Sequence, residues 1–183
     1  MENEMFEFGS EAYWLMLLVL VCARGCDFFS TWLATPNLRL EANPIAAWLG
    51  WKKGVLLNIV MCFVLAMFVV PAVMLATTSF LVAARNLENA WLMRTMGEDD
   101  YQMWMGIQLK RTPNSLVLGC FWGNGILVFL VGLGVVLSSG NVIGLSIGFG
   151  IVGYSFAVVL FTTLSIWRSR RRYRYDERPD EWT

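Results

Sequence analysis

Apolar residues in this chain come in long, unbroken runs and not in the alternation typical of a half-buried β-strand. Four of these runs are long enough for a helix of the roughly 20 residues that crosses a hydrocarbon core. They lie near residues 12–34, 54–84, 115–138 and 141–167. The pattern predicts an all-α integral membrane protein, a single domain of four transmembrane helices followed by a cytoplasmic tail at 168–183.

The second run differs from the others in its length. As one straight helix, residues 54–84 would extend about 46 Å, which exceeds the roughly 30 Å of the hydrocarbon core. Pro71 lies near the centre of the run. Because proline removes a backbone hydrogen bond inside a helix, we expect a kink there.

The two longer connections contain helix signals of their own. Asn43 followed by Pro44 predicts a helix start, because the Asn side chain accepts from a free N–H and proline suits the first helical position. We expect a short helix over 44–50 that lies in the membrane interface on the outer side or packs back between the spans. The connection 85–114 predicts two amphipathic cytoplasmic helices, with Gly97 ending the first.

Composition agrees with a membrane location. Of 183 residues, 57% are hydrophobic and 15% are charged, and the mean hydropathy is +0.55. Ordinary soluble domains contain about 25% charged residues. There is no histidine, which excludes a catalytic histidine and a histidine-ligated zinc ion.

The basic residues indicate an orientation. Ten of the fourteen Lys and Arg residues lie in the 85–114 connection and the tail, and three lie in the first connection. Since basic residues near span ends resist translocation, we expect both termini to be cytoplasmic in the inner membrane of a bacterium. Five tail arginines should bind anionic lipid head groups, with no role in nucleic-acid binding. These are Arg168, Arg170, Arg171, Arg172 and Arg174.

Polar residues inside the first span are the candidates for chemistry, because a charge within the membrane is costly. Arg24, Asp27 and Thr31 share one helix face. The complete predicted cluster is Arg24, Asp27, Ser30, Thr31, Glu41, Asn43 and Asn58. Three interpretations stay open for it: charges that neutralise one another structurally, an oxygen-rich pocket for a cation or a proton-coupled solute, and an acid–base catalytic pair.

Two segments of this region resemble a known pattern. Asp27-Phe-Phe-Ser-Thr31 followed by Glu41-Ala-Asn-Pro44 resembles the signature of a family of small uncharacterised multi-spanning prokaryotic membrane proteins. The resemblance implies that Asp27, Thr31, Glu41, Asn43 and Pro44 form the shared feature. It implies no activity and does not extend beyond the start of the second span.

Two further sets of residues suggest helix packing and partner binding. Small residues spaced by four let helix backbones approach closely, within the bundle or at a partner interface. The glycines with this spacing are Gly119, Gly123, Gly140, Gly144 and Gly148. Methionine and tryptophan adapt to varied apolar surfaces, so those of the 85–114 connection either lie on the inner leaflet or form a docking surface. They are Trp91, Met93, Met96, Met103, Trp104 and Met105.

Three classes of function fit these features. The leading expectation is a non-catalytic membrane subunit or scaffold that packs against other membrane proteins or a second copy, without a cofactor or metal. The alternative is a small ion or solute transporter that uses Asp27 and Glu41. A membrane enzyme acting on lipid is the third, and it requires two ionisable groups in one open pocket.

Overall fold

A computed structural model describes residues 5–175 of the chain, with side chains as far as residue 170. This part contains six helices and no β-strand. They are α1 (Glu11–Ala34), α2 (Pro44–Leu65), α3 (Val69–Met96), α4 (Glu98–Arg111), α5 (Asn114–Ser138) and α6 (Val142–Tyr175). Within the described residues, five helices, all except α4, are long and apolar enough to cross a membrane. The predicted all-α class is confirmed, with helices long and apolar enough to span a membrane, and the described residues contain five such helices instead of the four predicted.

The additional helix arises because a reversal at residues 66–68 divides the second apolar run into α2 and α3. Each amide N–H of this turn donates to a carbonyl in the last turn of α2. The N-terminal segment closes the turn, since the N–H of Phe6 donates to the carbonyl of Met67 at 2.8 Å. Pro71 therefore lies in the first turn of α3, where its missing N–H removes no helical hydrogen bond, and the expected kink is absent.

Contacts along α1 define the directions of α2 and α3. Near the start of α1, the Tyr13 hydroxyl donates to a carbonyl late in α2 at 3.3 Å. Near the end of α1, the Phe28 ring packs on Trp51, early in α2, with ring centroids 6.1 Å apart. These contacts make α2 antiparallel to α1. The Asn86 amide, late in α3, donates to Thr31 at 3.0 Å, so α3 runs parallel to α1.

The last two long helices extend this arrangement. The Thr78 hydroxyl of α3 donates to the Gly150 carbonyl of α6 at 3.0 Å. Further along both helices, the Arg85 guanidinium donates to Thr162 at 3.0 Å, so α3 and α6 are parallel. After a short turn at 139–141, α6 returns antiparallel to α5. The helices thus associate through α1 with α3, α3 with α6, and α6 with α5.

This path gives the molecule two unequal ends. We call one the charged end; it contains the 35–43 connection, α4 and the last turns of α6. We call the other the apolar end; it contains residues 5–10 and the turns at 66–68 and 139–141. At the charged end, the Arg168 guanidinium donates to the Ala42 carbonyl at 2.6 Å. The Arg170 guanidinium donates to the Leu109 carbonyl at 3.0 Å.

The segments found at each end of the bundle differ from those expected. The first connection and the 85–114 connection were predicted on opposite sides of the membrane, yet both lie at the charged end. Phe6 and Arg170 were predicted on the same side, yet they lie at opposite ends. The reason is the reversal at 66–68, which adds one crossing of the bundle. The side chains of Arg171, Arg172 and Arg174, and the tail beyond residue 175, lie outside the described residues.

The predicted helix signals within the connections have different outcomes. The Asn43 side chain accepts from the N–H of Ile45 at 3.0 Å, which confirms the helix start at Pro44. Gly50, with φ of 64°, separates the first turns of α2 from the remainder of the helix. Their position in the interface stays a prediction. Gly97, with φ of 82°, ends α3 as predicted, but α3 continues without a break through residue 85.

The glycines that bring helices together are only partly those predicted. A Cβ at Gly148 of α6 or at Gly132 of α5 would lie within 3 Å of a backbone nitrogen of the facing helix. A Cβ at Gly150 would lie 2.9 Å from the Met74 carbonyl oxygen of α3. Gly144 faces the turn that precedes its own helix. In the described chain, no atom lies within 4 Å of the Cβ position at three predicted packing glycines, Gly119, Gly123 and Gly140.

Candidate functional site

Arg24 lies near the middle of α1 and joins three helices through its guanidinium. Its Nε donates to Asn58 Oδ1 of α2 at 2.7 Å. Its Nη1 donates to Ser79 Oγ of α3 at 3.0 Å and to Asp27 Oδ2 of α1 at 2.5 Å. We call these four residues the arginine cluster. It brings together three residues of the predicted polar cluster and adds Ser79.

The charges of the arginine cluster are paired and largely enclosed. The side chains of Arg24 and Asp27 are 19% and 15% exposed. Their spacing of three residues places both on one face of α1. The guanidinium also lies over the Phe28 ring, 5.4 Å from its centroid. An ion pair in an apolar environment is stable only when further hydrogen bonds accompany it, and Asn58 and Ser79 accept such bonds from the Arg24 guanidinium.

Ser30 and Thr31 form a second contact between α1 and α3, one turn beyond Asp27. The Asn86 amide donates to Thr31 at 3.0 Å and to Ser30 at 3.3 Å. The Ser30 hydroxyl donates to the backbone carbonyl of Asp27 at 2.9 Å. Sequence reasoning did not include Ser79 and Asn86. Their separation of seven residues, which places them on one face of α3, was the available signal.

Glu41 and Asn43 lie outside the arginine cluster and shape the first connection. Glu41 accepts from the N–H of Asn43 at 2.7 Å, and Asn43 caps α2. Burial raises the pKa of Glu41, and the nearby charge of Asp27 raises it further, whereas Arg168 lowers it. Within residues 5–170, no hydrogen bond joins Glu41 to Asp27.

A second polar contact, which the sequence did not predict, joins the first connection to α4. Glu98 opens α4 and is buried. It accepts from the Thr35 hydroxyl, and from the N–H and side-chain amide of Asn37 at 3.0 and 2.9 Å. We call these three residues the Glu98 cluster. Burial opposes ionisation of Glu98, but the hydrogen bonds from Thr35 and Asn37 lower its pKa below the usual value of 4.5.

An open cleft of about 290 Å³ lies beside the Glu98 cluster. Its lining includes Asn37, Arg94 and Asp99, and it does not include any residue of the arginine cluster. Asp99 forms an exposed ion pair with Arg39. Within residues 5–170, no group of three or more carboxylates and thiols converges in a way that could hold a metal ion.

The methionines and tryptophans predicted as a docking surface are exposed to different degrees. Trp91 of α3 is 69% exposed, and Met103 and Trp104 of α4 are also exposed. The other three, Met93, Met96 and Met105, are half-buried. On α4, Tyr101 and Leu109 are buried on the side away from Met103. The exposed members therefore lie on the outer surface of the charged end.

The arginine cluster generates a double-mutant prediction. Arg24→Leu leaves the Asp27 carboxylate buried without its partner, and we expect a loss of about 3–5 kcal/mol in the free energy of unfolding. The double variant with Asp27→Leu removes both charges and should recover most of this loss. Thermal unfolding of the purified protein in detergent measures both. A double variant that is no more stable than Arg24→Leu would contradict the pairing.

The Glu98 cluster predicts a pH dependence of stability. Because the folded-state pKa of Glu98 lies below 4.5, its contribution is present above pH 4.5 and is lost as pH falls through the folded-state value. Glu98→Gln should lower the free energy of unfolding by about 2 kcal/mol at neutral pH, since it replaces charge-assisted hydrogen bonds. Its stability should change less than that of the wild type on acidification. If the wild type and Glu98→Gln lose the same free energy of unfolding on acidification, Glu98 does not contribute to the pH dependence of stability.

No family model, curated protein or solved structure matches this chain. The resemblance of the segment from Asp27 to Pro44 to a family of small prokaryotic membrane proteins accordingly stays a prediction. The chemistry of the arginine cluster and of the charged end is therefore the basis on which a function is inferred.

Proposed function

We propose that this protein is a non-catalytic integral membrane subunit or scaffold that packs against partner membrane proteins. The observation that carries the proposal is the arginine cluster. Its two ionisable groups neutralise each other, and the Arg24 guanidinium also donates to Asn58 and Ser79, so that it holds α1, α2 and α3 together. A transporter or a membrane enzyme requires an ionisable group that meets a solute or substrate. In the arginine cluster, by contrast, the hydrogen bonds of the Arg24 guanidinium go to side chains of α1, α2 and α3.

The charged end is the part that we assign to partner binding. Trp91, Met103 and Trp104 present large, adaptable apolar side chains there. The Glu98 cluster fixes the first connection against α4, which gives this end a defined surface. Beyond it, the arginines of the tail supply the attraction to anionic lipid head groups proposed from the sequence.

We further propose that the charged end is cytoplasmic, in a bacterial inner membrane. Every Lys and Arg of the described side chains except Arg24 lies at or toward this end. The apolar end carries Glu7 and Glu11 and no basic residue in the described part of the chain. Since basic residues stay on the cytoplasmic side, the N-terminus is external and the C-terminus is internal.

Cysteine labelling tests this orientation. The four native cysteines are replaced, and a single cysteine is introduced by Glu7→Cys or by Asp100→Cys, which substitute exposed carboxylates at opposite ends. In intact cells, a membrane-impermeant maleimide should label Glu7→Cys, and it should label Asp100→Cys only after permeabilisation. Labelling of both variants only after permeabilisation would instead support two cytoplasmic termini.

One observation favours the transporter alternative. Glu41 is half-buried near Asp27 and Arg168, and its pKa is raised by burial. Burial disfavours the charged form of this carboxyl group, and proton-coupled transporters use carboxyl groups in apolar surroundings. This alternative requires that reconstituted vesicles show an ion or proton flux that Asp27→Asn and Glu41→Gln each reduce.

Co-purification tests the scaffold proposal. The tagged protein is extracted gently, and bound proteins are identified by mass spectrometry; we expect other membrane subunits in stoichiometric amounts. Trp91→Ala should reduce their recovery about tenfold or more, because a tryptophan at an interface is worth about 2 kcal/mol or more. Trp14→Ala, an exposed tryptophan at the apolar end, is the matched control and should leave recovery unchanged. A protein that purifies without other subunits would contradict the proposal.

A further inference from the structure

One face of α5 is exposed along most of its length and has the spacing of a helix–helix contact. In the described chain, α5 packs extensively on α6 alone, through its buried residues Val117, Gly125 and Gly132. The outward residues follow alternate steps of four and three, the heptad spacing that lets two parallel helices interdigitate. We call them the α5 seam: Leu116, Cys120, Gly123, Leu127, Leu130 and Gly134.

The α5 seam combines large and small residues. Leu116, Leu127 and Leu130 are each more than half exposed. No atom of the described chain lies within 4 Å of a Cβ placed at Gly123 or Gly134. Leucines beside small residues form the knobs and recesses with which a second helix packs closely in a membrane. An exposed leucine is stable in lipid by itself, so this pattern alone does not require a partner.

Asn124 is the residue of α5 that does require a partner. It lies beside the seam, near the middle of the 25-residue helix α5. Its side chain is exposed, and within the described residues it has no hydrogen-bond partner. At this depth there is no water and lipid tails offer no polar atom, so an unpaired amide costs several kcal/mol. Another protein surface with a polar group at the same depth therefore satisfies Asn124.

A second copy of this chain provides such a group by symmetry. Copies in one membrane insert in the same direction, so two facing α5 helices are parallel. In a parallel heptad pair, the positions that flank the seam face each other when they are five residues apart. Asn124 and Gly119 have this relation, so Asn124 of one copy faces Gly119 of the partner subunit. No other part of the described chain lies within 4 Å of a Cβ placed at Gly119, so a second helix can approach the backbone there, and the Gly119 carbonyl is the acceptor for the Asn124 amide.

We propose that this chain forms a symmetric parallel dimer through the α5 seam. Leu116, Leu127 and Leu130 pack against the seam of the second copy, and Gly123 allows close approach. Each Asn124 donates a hydrogen bond across the interface. The proposal deepens the scaffold function, on which it rests, by naming a second copy as one partner and α5 as its surface. The charged end remains available to other subunits.

Cross-linking through the native Cys120 tests the dimer. Cys22→Ser and Cys26→Ser remove the two exposed cysteines of α1, and the buried Cys62 is retained. Oxidation of native membranes with copper–phenanthroline should give a disulfide-linked dimer, since facing seam positions lie within disulfide distance. The control carries Cys120→Ser and Trp122→Cys, an exposed α5 position that neither belongs to the seam nor flanks it, and should give little dimer. Equal yields from both chains, or no dimer through Cys120, would overturn the proposal.

Asn124 is tested in the same Cys120 background. Asn124→Leu should reduce the yield of cross-linked dimer about tenfold, the combined effect of the two hydrogen bonds between membrane helices that the symmetric dimer loses. Because Asn124 has no partner within its own described chain, thermal unfolding of the detergent-solubilised monomer should be unchanged. A dimer yield equal to that of the unsubstituted chain would overturn the role of Asn124.

Failure of the dimer and failure of the scaffold function are distinguishable in one further measurement. Asn124→Leu should weaken self-association and still co-purify other membrane subunits through the charged end. If the dimer does not form in any variant while those subunits are retained, only the α5 proposal is overturned. If no other subunit is retained while the cross-linked dimer forms, only the wider scaffold function is overturned.

Discussion

The guanidinium of Arg24 constrains the arrangement of the first three helices. A cation within an apolar interior requires a counter-charge and several hydrogen-bond acceptors, or its desolvation exceeds what packing can offset. Asp27 provides the counter-charge from the same helix, but Asn58 and Ser79 come from two others. Both helices must pass beside the middle of α1. α2 and α3 run in opposite directions because the turn that joins them has only three residues. A turn of this length can reverse the chain, but it is too short to return it to the other end of the bundle.

The long apolar runs predicted the fold class because a bilayer leaves few alternatives. A backbone that cannot bond to water must satisfy itself, and a helix does so within one segment. The reversal at 66–68 could not be recognised in the sequence, because this turn is as apolar as the helices that it joins. Its residues are Ala, Met and Phe, without the Gly, Pro, Asn or Asp that mark turns in water. The last turn of α2 and Phe6 provide the hydrogen bonds that such residues would otherwise supply.

The candidate site could be predicted only where local spacing decides the geometry. Arg24 and Asp27 were placed together because three residues along a helix bring side chains onto one face. Asn58 was expected nearby from its depth in the second run. The Glu98 cluster depended on which connections share a side of the membrane. Because the reversal at 66–68 was not predicted, Thr35 and Glu98 were assigned to opposite sides of the membrane. In the structure the Thr35 hydroxyl donates to Glu98.

The apolar end of the described chain contains little polypeptide outside the long helices. Two of its three segments are turns of only three residues, at 66–68 and 139–141, whereas α4 and the 35–43 connection occupy the other end. In residues 5–170, most of the connecting polypeptide and most of the charged side chains therefore lie at one end. Changes of salt or pH act on many charged groups at the charged end and on few described groups at the apolar end.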